Sequence, residues 1–369
     1  MTLQAWPSSQ LNQCDSTIAS IKFYEDGIPE FIESELESLY ECHMTTIIRF
    51  RQYYPLDTAY VYTSYNRNQI TTAIVYRKAK DKVIVYNEQM HIPAAELNRF
   101  VRAIYQRYPD VSQIHFYALD LAGQSVAFPK QKMACLEKIC LALPKSTSIY
   151  LSMLSKNLSY NIRRAERRIT KDIPNACFEF KAGQDVKREE LDKIIELNRA
   201  RMEAKHQTCY HTPETTSKLF QLVKRYGVVG IFSVAGSIQG GIVLLRIACT
   251  YLLQVNAHHP DYDKYNLGTI CCINGISYAI NNGGTTFNFG WGAFEYKYKL
   301  LGKKTDLYQL CIYKSYAYML RDTTALCKRR LLNLQRYFRL SLARHHFTEG
   351  SFVGWLRRSG IRAYLSAKK

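Results

Sequence analysis

The sequence predicts an α+β protein made of two consecutive units, each a mixed, mostly antiparallel sheet flanked by helices, with a basic helical C-terminal tail. Two observations support this prediction. Both halves show the same order of patterns: a helix, three β-rich runs, a second helix and a further strand. At roughly 150 residues per domain, 369 residues correspond to two domains and a remainder. We place the units at 1–150 and 151–320 and the tail at 321–369.

The first half alternates between helical and strand-like patterns. Glu30–Arg51 has the apolar spacing of a helix, and Ala94–Tyr108 shows this spacing again directly after a proline. Between these helices, three runs rich in β-forming residues predict an antiparallel meander. The three runs are Ala59–Ser64, Thr71–Arg77 and Val83–Asn87. A strand at Ile114–Leu119 follows the second helix.

The second half repeats this order at greater length. Leu151–Lys171 is predicted as an amphipathic helix because its apolar residues recur at steps of three and four. The other predicted helices are Arg188–His206, Thr212–Tyr226, Gly268–Asn281 and the short helical turn Ala293–Leu301. The predicted strands are Cys177–Lys181, Val228–Ala235, Gly240–Ile247, Thr250–Ala257, Thr286–Phe289 and Leu307–Tyr313.

Positive charge is in excess, with 50 Lys and Arg against 31 Asp and Glu. Residues 328–369 alone hold eleven basic residues and one acidic residue. The polar side of the predicted helix Leu151–Lys171 carries Arg163, Arg164, Arg167, Arg168 and Lys171. These cations repel one another unless an anion lies nearby, which favours a nucleotide cofactor, RNA or an acidic membrane as partner. The basic tail is suited to peripheral contact with an anionic membrane or to docking on the protein itself.

Composition excludes several classes of protein. Apolar residues make up 47% of the chain and charged residues 22%, as in soluble globular proteins, so wholesale disorder is excluded. The eleven cysteines are odd in number and show no zinc-type spacing, which favours a reduced, cytoplasmic protein without a metal site. The first ten residues lack the pattern of a signal peptide. The apolar stretch Gly241–Val255 is interrupted by Arg246 and is too short to cross a bilayer.

Two segments of the second half resemble a known family. LSKNLSYNIRRAERRI at Leu154–Ile169 is similar to a K-x-R-x-N-I-R-R-A helix, and FNFGWGAFEYKYKLLG at Phe287–Gly302 is similar to an F-D-F-G-x-G-x-x-x-Y-K segment. Both patterns belong to the GNAT-fold acyltransferases associated with bacterial cellulose and exopolysaccharide synthesis, which are related to the Fem-type transferases. The resemblance covers roughly Ile149–Lys314. It implies tandem GNAT-like units, of which the first is degenerate.

The resemblance implies acetyl-CoA as the acyl donor. It places the pantetheine arm along Thr250–Ala257, with Val255 and Asn256 in contact. The pyrophosphate would meet the start of the following helix, because the N–H groups and dipole of a helix N-terminus favour anions. The remaining residues assigned to the cofactor are Lys264, Asn266, Leu267, Gly268 and Thr269. Asn266 is suited to cap this helix, and the loop has one glycine where the family pattern Arg/Gln-x-x-Gly-x-Gly/Ala has two.

Acyl transfer to an amine needs a base for the amine, donors for the oxyanion and an acid for the departing thiolate. By resemblance, His258 follows the pantetheine strand as the candidate base. The Tyr296 hydroxyl is the candidate acid, beside Glu295 and Lys297 in the motif segment. Asn288 stands where the relatives carry Asp. The candidates for contact with the acceptor are Glu203, His206 and Trp291.

These observations predict a cytoplasmic acyl-CoA-dependent N-acetyltransferase that acetylates an amine. The resemblance implies an amino sugar or polysaccharide precursor as the acceptor. Two alternatives stay open. A Fem-like ligase would use aminoacyl-tRNA as its donor, which the paired units and the net charge of +19 favour. A non-catalytic GNAT-like fold would bind RNA or an anionic membrane, which the single loop glycine and Asn288 favour. The sequence does not indicate an oligomeric state.

Overall fold

The computed structural model describes residues 20–121, 126–323 and 331. In these ranges twelve strands form one continuous sheet. The strands are β1 (Ser20–Tyr24), β2 (Tyr60–Asn66), β3 (Gln69–Ala79), β4 (Lys82–Val85), β5 (Gln113–Leu119), β6 (Lys130–Ala142), β7 (Ala176–Ala182), β8 (Gly227–Val234), β9 (Ser237–Ile247), β10 (Thr250–His258), β11 (Thr286–Asn288) and β12 (Lys303–Tyr313).

Ten α-helices accompany the sheet in the same part of the chain. They are α1 (Phe31–Tyr40), α2 (Ile47–Tyr53), α3 (Ala94–Arg107), α4 (Thr147–Met153), α5 (Lys156–Asp172), α6 (Arg188–Ala204), α7 (Pro213–Tyr226), α8 (Leu267–Asn281), α9 (Glu295–Lys299) and α10 (Tyr316–Arg321). Short 3₁₀ turns lie at His43–Thr45, Gly183–Asp185 and Pro260–Tyr265.

The two halves repeat one topology. The strand order across the sheet is β1-β2-β3-β4-β5-β12-β6-β11-β10-β9-β8-β7. In each half, an antiparallel meander is followed by a helix and then by a strand that pairs parallel to the last meander strand. These elements are β2–β3–β4, α3 and β5 in the first half, and β8–β9–β10, α8 and β11 in the second. The predicted α+β class, with two consecutive units of one topology, is therefore confirmed.

The halves exchange their last strands. β6 belongs to the first half but pairs antiparallel with β11, and β12 belongs to the second half but pairs antiparallel with β5. β6 and β12 also pair with each other, so the centre of the sheet holds one strand from each half. The sheet therefore runs through both halves without a break. The unit boundaries at 150/151 and 320/321 stay predictions.

Helices cover both faces of the second half, and β9 shows why. Its residues are buried on both faces: Ile242 and Leu244 pack in the core with α8, while Val243 and Leu245 pack in the core with α6 and α7. A strand buried on both faces loses polar alternation and becomes a continuous apolar run. The apolar stretch Gly241–Val255 consequently corresponds to β9 and β10.

Two predicted helices are each divided in the structure. Glu30–Arg51 is wrong as one helix, because α1 ends at Tyr40 and α2 begins only at Ile47. Glu41 ends α1 with a left-handed φ of 46°. Thr46 then caps α2 through its side chain, which accepts a hydrogen bond from the Arg49 N–H at 3.3 Å.

Leu151–Lys171 is likewise two helices, α4 and α5. Leu154 is extended with ψ 151°, and the Ser155 side chain caps α5 by accepting from the Leu158 N–H at 3.3 Å. Leu151 therefore lies on α4 rather than on the apolar face of α5, and it is 38% exposed.

Two strands, β1 and β6, were not predicted. Most residues of β6 are half-buried, so the alternation that identifies a strand is absent.

The predicted basic tail lies outside the described residues, except for residues 321–323 and 331. The first ten residues, which lack the pattern of a signal peptide, also lie outside them. In the described part of the chain, no helix is long and apolar enough to span a membrane.

Candidate active site

The parallel strands β10 and β11 separate after three paired positions. The last of these pairs is Leu252 with Asn288, while β10 continues to His258. The chain after β11 follows β6 instead, because the Phe289 N–H donates to the Ile139 carbonyl at 2.8 Å. A β-bulge at Gln254 marks the same point on β10. The edge of β10 beyond the bulge is therefore free of β11, and this is where Val255 and Asn256 lie.

Asn256 ties this free edge to the start of α8. Its Nδ2 donates to the Gly268 carbonyl at 2.8 Å and contacts the Cys272 sulfur at 3.1 Å. Its own carbonyl accepts from Arg201 Nη1 of α6 at 2.9 Å. The Asn256 Oδ1 is buried and has no partner among the described residues. The strand edge therefore keeps an unused, buried acceptor, and we use the word cleft for the region between the free edge of β10 and the start of α8.

His258 ends β10 and is buried, with 7% of its surface exposed. Its Nε2 lies 2.7 Å from Asp263 Oδ1. Because a carboxylate accepts, the proton of the neutral imidazole is on Nε2, and Nδ1 keeps a lone pair. Nδ1 is buried and has no partner within the described ranges. Burial lowers the pKa of His258 despite the opposing effect of its hydrogen bond to Asp263, so the ring is neutral at neutral pH.

Gly268 makes room for this imidazole. A Cβ at position 268 would lie 3.0 Å from His258 Cε1 and 3.2 Å from its Nδ1. The glycine that the sequence pattern assigned to the cofactor therefore also lets His258 pack closely against α8. Leu267, which begins α8, is fully buried, and Thr269 is half-buried one residue beyond Gly268.

The start of α8 is suited to an anion. Its first turn carries no acidic residue, and the Leu267 and Gly268 N–H groups have no hydrogen-bond partner in the described structure. The prediction that the Asn266 side chain caps α8 is wrong, because Asn266 has a left-handed φ of 52° and makes no side-chain capping bond. Its backbone carbonyl instead accepts from Thr269 and Ile270.

A cation of α5 also lies at this end of the cleft. The Arg168 guanidinium donates to the Lys264 carbonyl at 3.1 Å and lies 5.2 Å from the centre of the Tyr265 ring. The Lys264 ammonium lies 5.2 Å from the same ring. The basic face of α5 and the loop before α8 therefore present two cations side by side.

α9 and the loop before it follow β11, and a Cβ at Gly290 of this loop would lie 3.6 Å from the Leu253 carbonyl of β10. Lys297 is only 3% exposed, and its Nζ donates to the Trp291 carbonyl at 2.7 Å. Burial lowers the pKa of Lys297 to about 8. Burial raises the pKa of the neighbouring Tyr296, so its hydroxyl keeps its proton, and it raises the pKa of Cys272 to about 12.

Three cleft residues were missed by the sequence analysis. Asp263 fixes the tautomer of His258, and the Cys272 thiol faces Asn256. The Nη1 of Arg201 donates to the Asn256 carbonyl, and the Arg201 charge lowers the pKa of Lys205, the residue that follows α6. Its spacing of four from Lys205 near the end of a predicted helix was the one usable signal. Nothing local singles out Asp263 or Cys272.

Several other residues that the sequence singled out are exposed or make contacts of their own. Glu295 is exposed on α9 and pairs with Lys299 at 2.9 Å, pointing to a surface role. Glu203 and His206 are exposed at the end of α6, and Trp291 is 61% exposed. Asn288 is buried at the point of separation, where its Oδ1 accepts from the Gly290 N–H at 2.8 Å. The roles predicted for all these residues stay predictions.

Comparison with known proteins agrees with this architecture. Residues 156–298 match the family model described as an acetyltransferase (GNAT) domain, which lies in the second half and contains the cleft. The crystal structure of FemX is similar over 81% of this chain and 99% of its own, with 9% identity and a TM-score of 0.58. At this identity the similarity shows a shared fold.

Two further solved structures have lower scores. The C-terminal domain of a putative lysylphosphatidylglycerol synthetase from Agrobacterium fabrum covers 69% of this chain and 85% of its own length, with 14% identity and a TM-score of 0.43. A tandem GNAT protein from the clavulanic acid biosynthesis pathway covers 79% and 98%, with 10% identity and a TM-score of 0.39. No curated protein sequence matches significantly.

Proposed function

We propose that the chain is an acyl-CoA-dependent N-acetyltransferase whose second half binds both acetyl-CoA and an amine acceptor. The observation that carries this proposal is the free edge of β10 beside the start of α8, with His258 between them. The match of residues 156–298 to an acetyltransferase (GNAT) domain supports it.

The residues around the free edge fit acetyl-CoA. The unused Asn256 Oδ1, on the strand edge formed by Val255 and Asn256, can accept a hydrogen bond from an amide of a pantetheine arm. The unpaired N–H groups of Leu267 and Gly268 suit a pyrophosphate, together with Thr269 and the cations of Lys264 and Arg168. Bound acetyl-CoA would supply a thioester whose carbonyl carbon takes the amine nitrogen while its C–S bond breaks.

The protein's own groups would move the protons. The lone pair on His258 Nδ1 would take a proton from the amine, with Asp263 holding the Nε2 proton. The Tyr296 hydroxyl, kept protonated by its raised pKa, would donate a proton to the departing sulfur. Lys297 is mostly protonated at neutral pH with a pKa of about 8, and would stabilise negative charge in the cleft.

The acceptor would be an amino sugar or a sugar-linked precursor, as in exopolysaccharide synthesis. This rests on the resemblance of the two motif segments. Glu203 and His206, exposed at the end of α6, would contact it. As part of this proposal, the protein is cytoplasmic and its basic tail contacts an anionic membrane.

A Fem-like ligase that takes an aminoacyl group from tRNA is a second candidate. The fold similarity to FemX favours it, as does α5, whose arginines form no ion pair with any described carboxylate. Phosphate neutralisation by such a surface would make tRNA binding strongly dependent on salt.

Calorimetry of the full chain with acetyl-CoA, and with tRNA in parallel at moderate salt, tests the proposal. We expect one-to-one acetyl-CoA binding with a micromolar dissociation constant. Gly268→Val should weaken it at least tenfold by displacing His258, and Lys264→Glu should weaken it less. Ala95→Val is the matched control, because Ala95 is the second residue of α3 as Gly268 is of α8. Tight tRNA binding without acetyl-CoA binding would overturn the proposal and favour the ligase.

A further inference from the structure

Two exposed aromatic rings form a corner between the α6–α7 loop and the loop after β11. Tyr210, in the loop between α6 and α7, is 47% exposed, and Trp291, in the loop after β11, is 61% exposed. Their ring centroids are 5.8 Å apart and their planes meet at 70°. The two residues are 81 positions apart in the chain, so only the fold brings them together.

The backbone on both sides of this corner is fixed. Trp291 lies between Gly290 and Gly292, which have left-handed φ values of 72° and 89°. Its carbonyl is held by the buried Lys297 ammonium at 2.7 Å. The Tyr210 carbonyl accepts from Thr215 Oγ1 at 2.9 Å. The rings are thus presented to solvent by anchored loops rather than by loose ends.

Exposure of the two rings needs an explanation. Single exposed apolar residues are ordinary, but a tryptophan and a tyrosine in contact and both about half exposed indicate a binding surface. The aromatic surface continues along the same loop, because Phe294 is 54% exposed and its ring is stacked near Tyr296. This surface leads from the corner to the residue proposed as the acid.

The angle of the corner favours one class of ring. Two rings at 70° cannot sandwich a flat base between them. A pyranose presents C–H groups with partial positive charge, which stack on the negative face of an indole, and hydroxyl groups at its edge. Polar side chains suited to those hydroxyls are close in the chain, since Glu203 and His206 are exposed just before Tyr210.

We propose that Tyr210 and Trp291 form a pyranose-binding subsite, with the sugar ring of the acceptor stacked on Trp291 and its edge against Tyr210. The proposal deepens the function proposed above and rests on it for the identity of the ligand as the acceptor. Tyr210 is thereby assigned as a residue that determines specificity.

Tryptophan fluorescence tests the subsite without any turnover. The chain has three tryptophans, and the other two, Trp6 and Trp355, lie outside the described residues. In the full chain carrying Trp6→Phe and Trp355→Phe, Trp291 is the single emitter. The probes are glucosamine, its acyclic analogue D-glucamine, and adenosine. We expect glucosamine to shift the emission to shorter wavelength and to protect Trp291 from acrylamide quenching, and D-glucamine to do neither.

Variants at Tyr210 make the test specific. Tyr210→Ala should abolish the response to glucosamine, while Tyr210→Phe keeps a ring and should retain it. Tyr160→Ala is the control, because Tyr160 is 59% exposed on α5. An equal response to D-glucamine, a response to adenosine alone, or no response to any probe would overturn the proposal.

Kinetics separates this inference from the proposed function. For acetylation of glucosamine, Trp291→Ala should raise KM about threefold to tenfold and leave kcat unchanged. A fluorescence response without acetylation would support the subsite while refuting the acetyltransferase. Acetylation with equal KM in wild type and Trp291→Ala would support the acetyltransferase while refuting the subsite.

Discussion

The two halves separate their parallel strands differently. In the first half, β4 and β5 pair from Lys82 to Ile84 and then join again, because the Gln89 N–H donates to the Ala118 carbonyl at 2.8 Å. The Asp120 N–H also donates to the Met90 carbonyl at 3.1 Å, and His91 and Asp120 form a parallel bridge. In the second half, β10 and β11 do not meet again after Leu252. With the same topology, the two parallel strands therefore rejoin in the first half and stay apart in the second half.

The helices of the two halves, α3 and α8, also differ in the charge of their first turns. The first turn of α3 carries Glu96, whose carboxylate accepts hydrogen bonds from Ser64, Thr72 and Arg99. The first turn of α8 carries no carboxylate. A helix start already supplied with its own anion has no place for a phosphate, so the comparison explains why the second half is the proposed cofactor site.

The largest effect we expect is on turnover, from His258→Gln. Loss of a general base costs about 10² to 10⁴ in kcat. In the wild type, kcat/KM should fall with decreasing pH through a midpoint below 6.5, because burial lowers the pKa of His258 and the base must be neutral. Initial rates from pH 5 to 9 check this.

Two variants sharpen that measurement. Asp263→Asn removes the hydrogen bond that raises the pKa of His258, so the acid limb should move to lower pH. His91→Gln, at the rejoined strands of the first half, should leave the profile unchanged. A profile of wild-type shape in His258→Gln would contradict the assignment of the base.

A smaller effect, on stability, should follow from Lys297→Met. The folded state holds this amine with a pKa lowered from 10.5 to about 8, so the protonated lysine disfavours folding at neutral pH. After allowance for the lost bond to the Trp291 carbonyl, we expect the variant to be more stable by about 2 kcal/mol in urea unfolding at pH 7.

The same reasoning fixes the pH dependence of that gain. Between pH 8 and 10.5 the unfolded chain binds the proton and the folded chain does not, so the stability of the wild type should rise with pH. The advantage of Lys297→Met should shrink over this range. Lys299→Met, on the exposed side of α9, serves as the control, with less than about 0.5 kcal/mol of change.

The smallest effect concerns the first half. Glu96→Gln removes the charge that three hydrogen bonds share, and should lower the free energy of unfolding by about 1 to 2 kcal/mol. It should leave the affinity for acetyl-CoA unchanged, as calorimetry can show. A second acetyl-CoA bound by this variant would mean that Glu96 alone closes the first half.

The sequence could predict helices and strands that have a local apolar pattern. It could not predict contacts between residues that are distant in the chain. The meander strands and α8 follow from apolar spacing, and the choice of Thr250–Ala257 as the pantetheine strand came from the resemblance. β6 was missed because its half-buried residues show no alternation. Asp263 and Cys272 were missed because their importance comes from contacts with His258 and Asn256.

Individual predicted roles failed for similar reasons. Asn266 precedes α8 as expected, but its left-handed backbone turns the side chain away from the cap, and that conformation has no signature in composition. The helix predicted at Leu151–Lys171 breaks at Ser155, whose capping role competes with the apolar periodicity around it. In both cases the backbone conformation around one residue set the local structure, and the sequence pattern does not show that conformation.

Because β12 lies between β5 and β6, these two strands must wait during synthesis for the partner that completes their pairing. Residues 143–302 separate β6 from β12, so β6 leaves the ribosome well before its partner exists. At roughly 5–20 residues per second, the interval is about 8 to 32 s. During it, the edges of β5 and β6 lack the strand that will lie between them, and unpaired edges invite association with other chains. The nascent first half therefore has two unpaired strand edges until β12 is made.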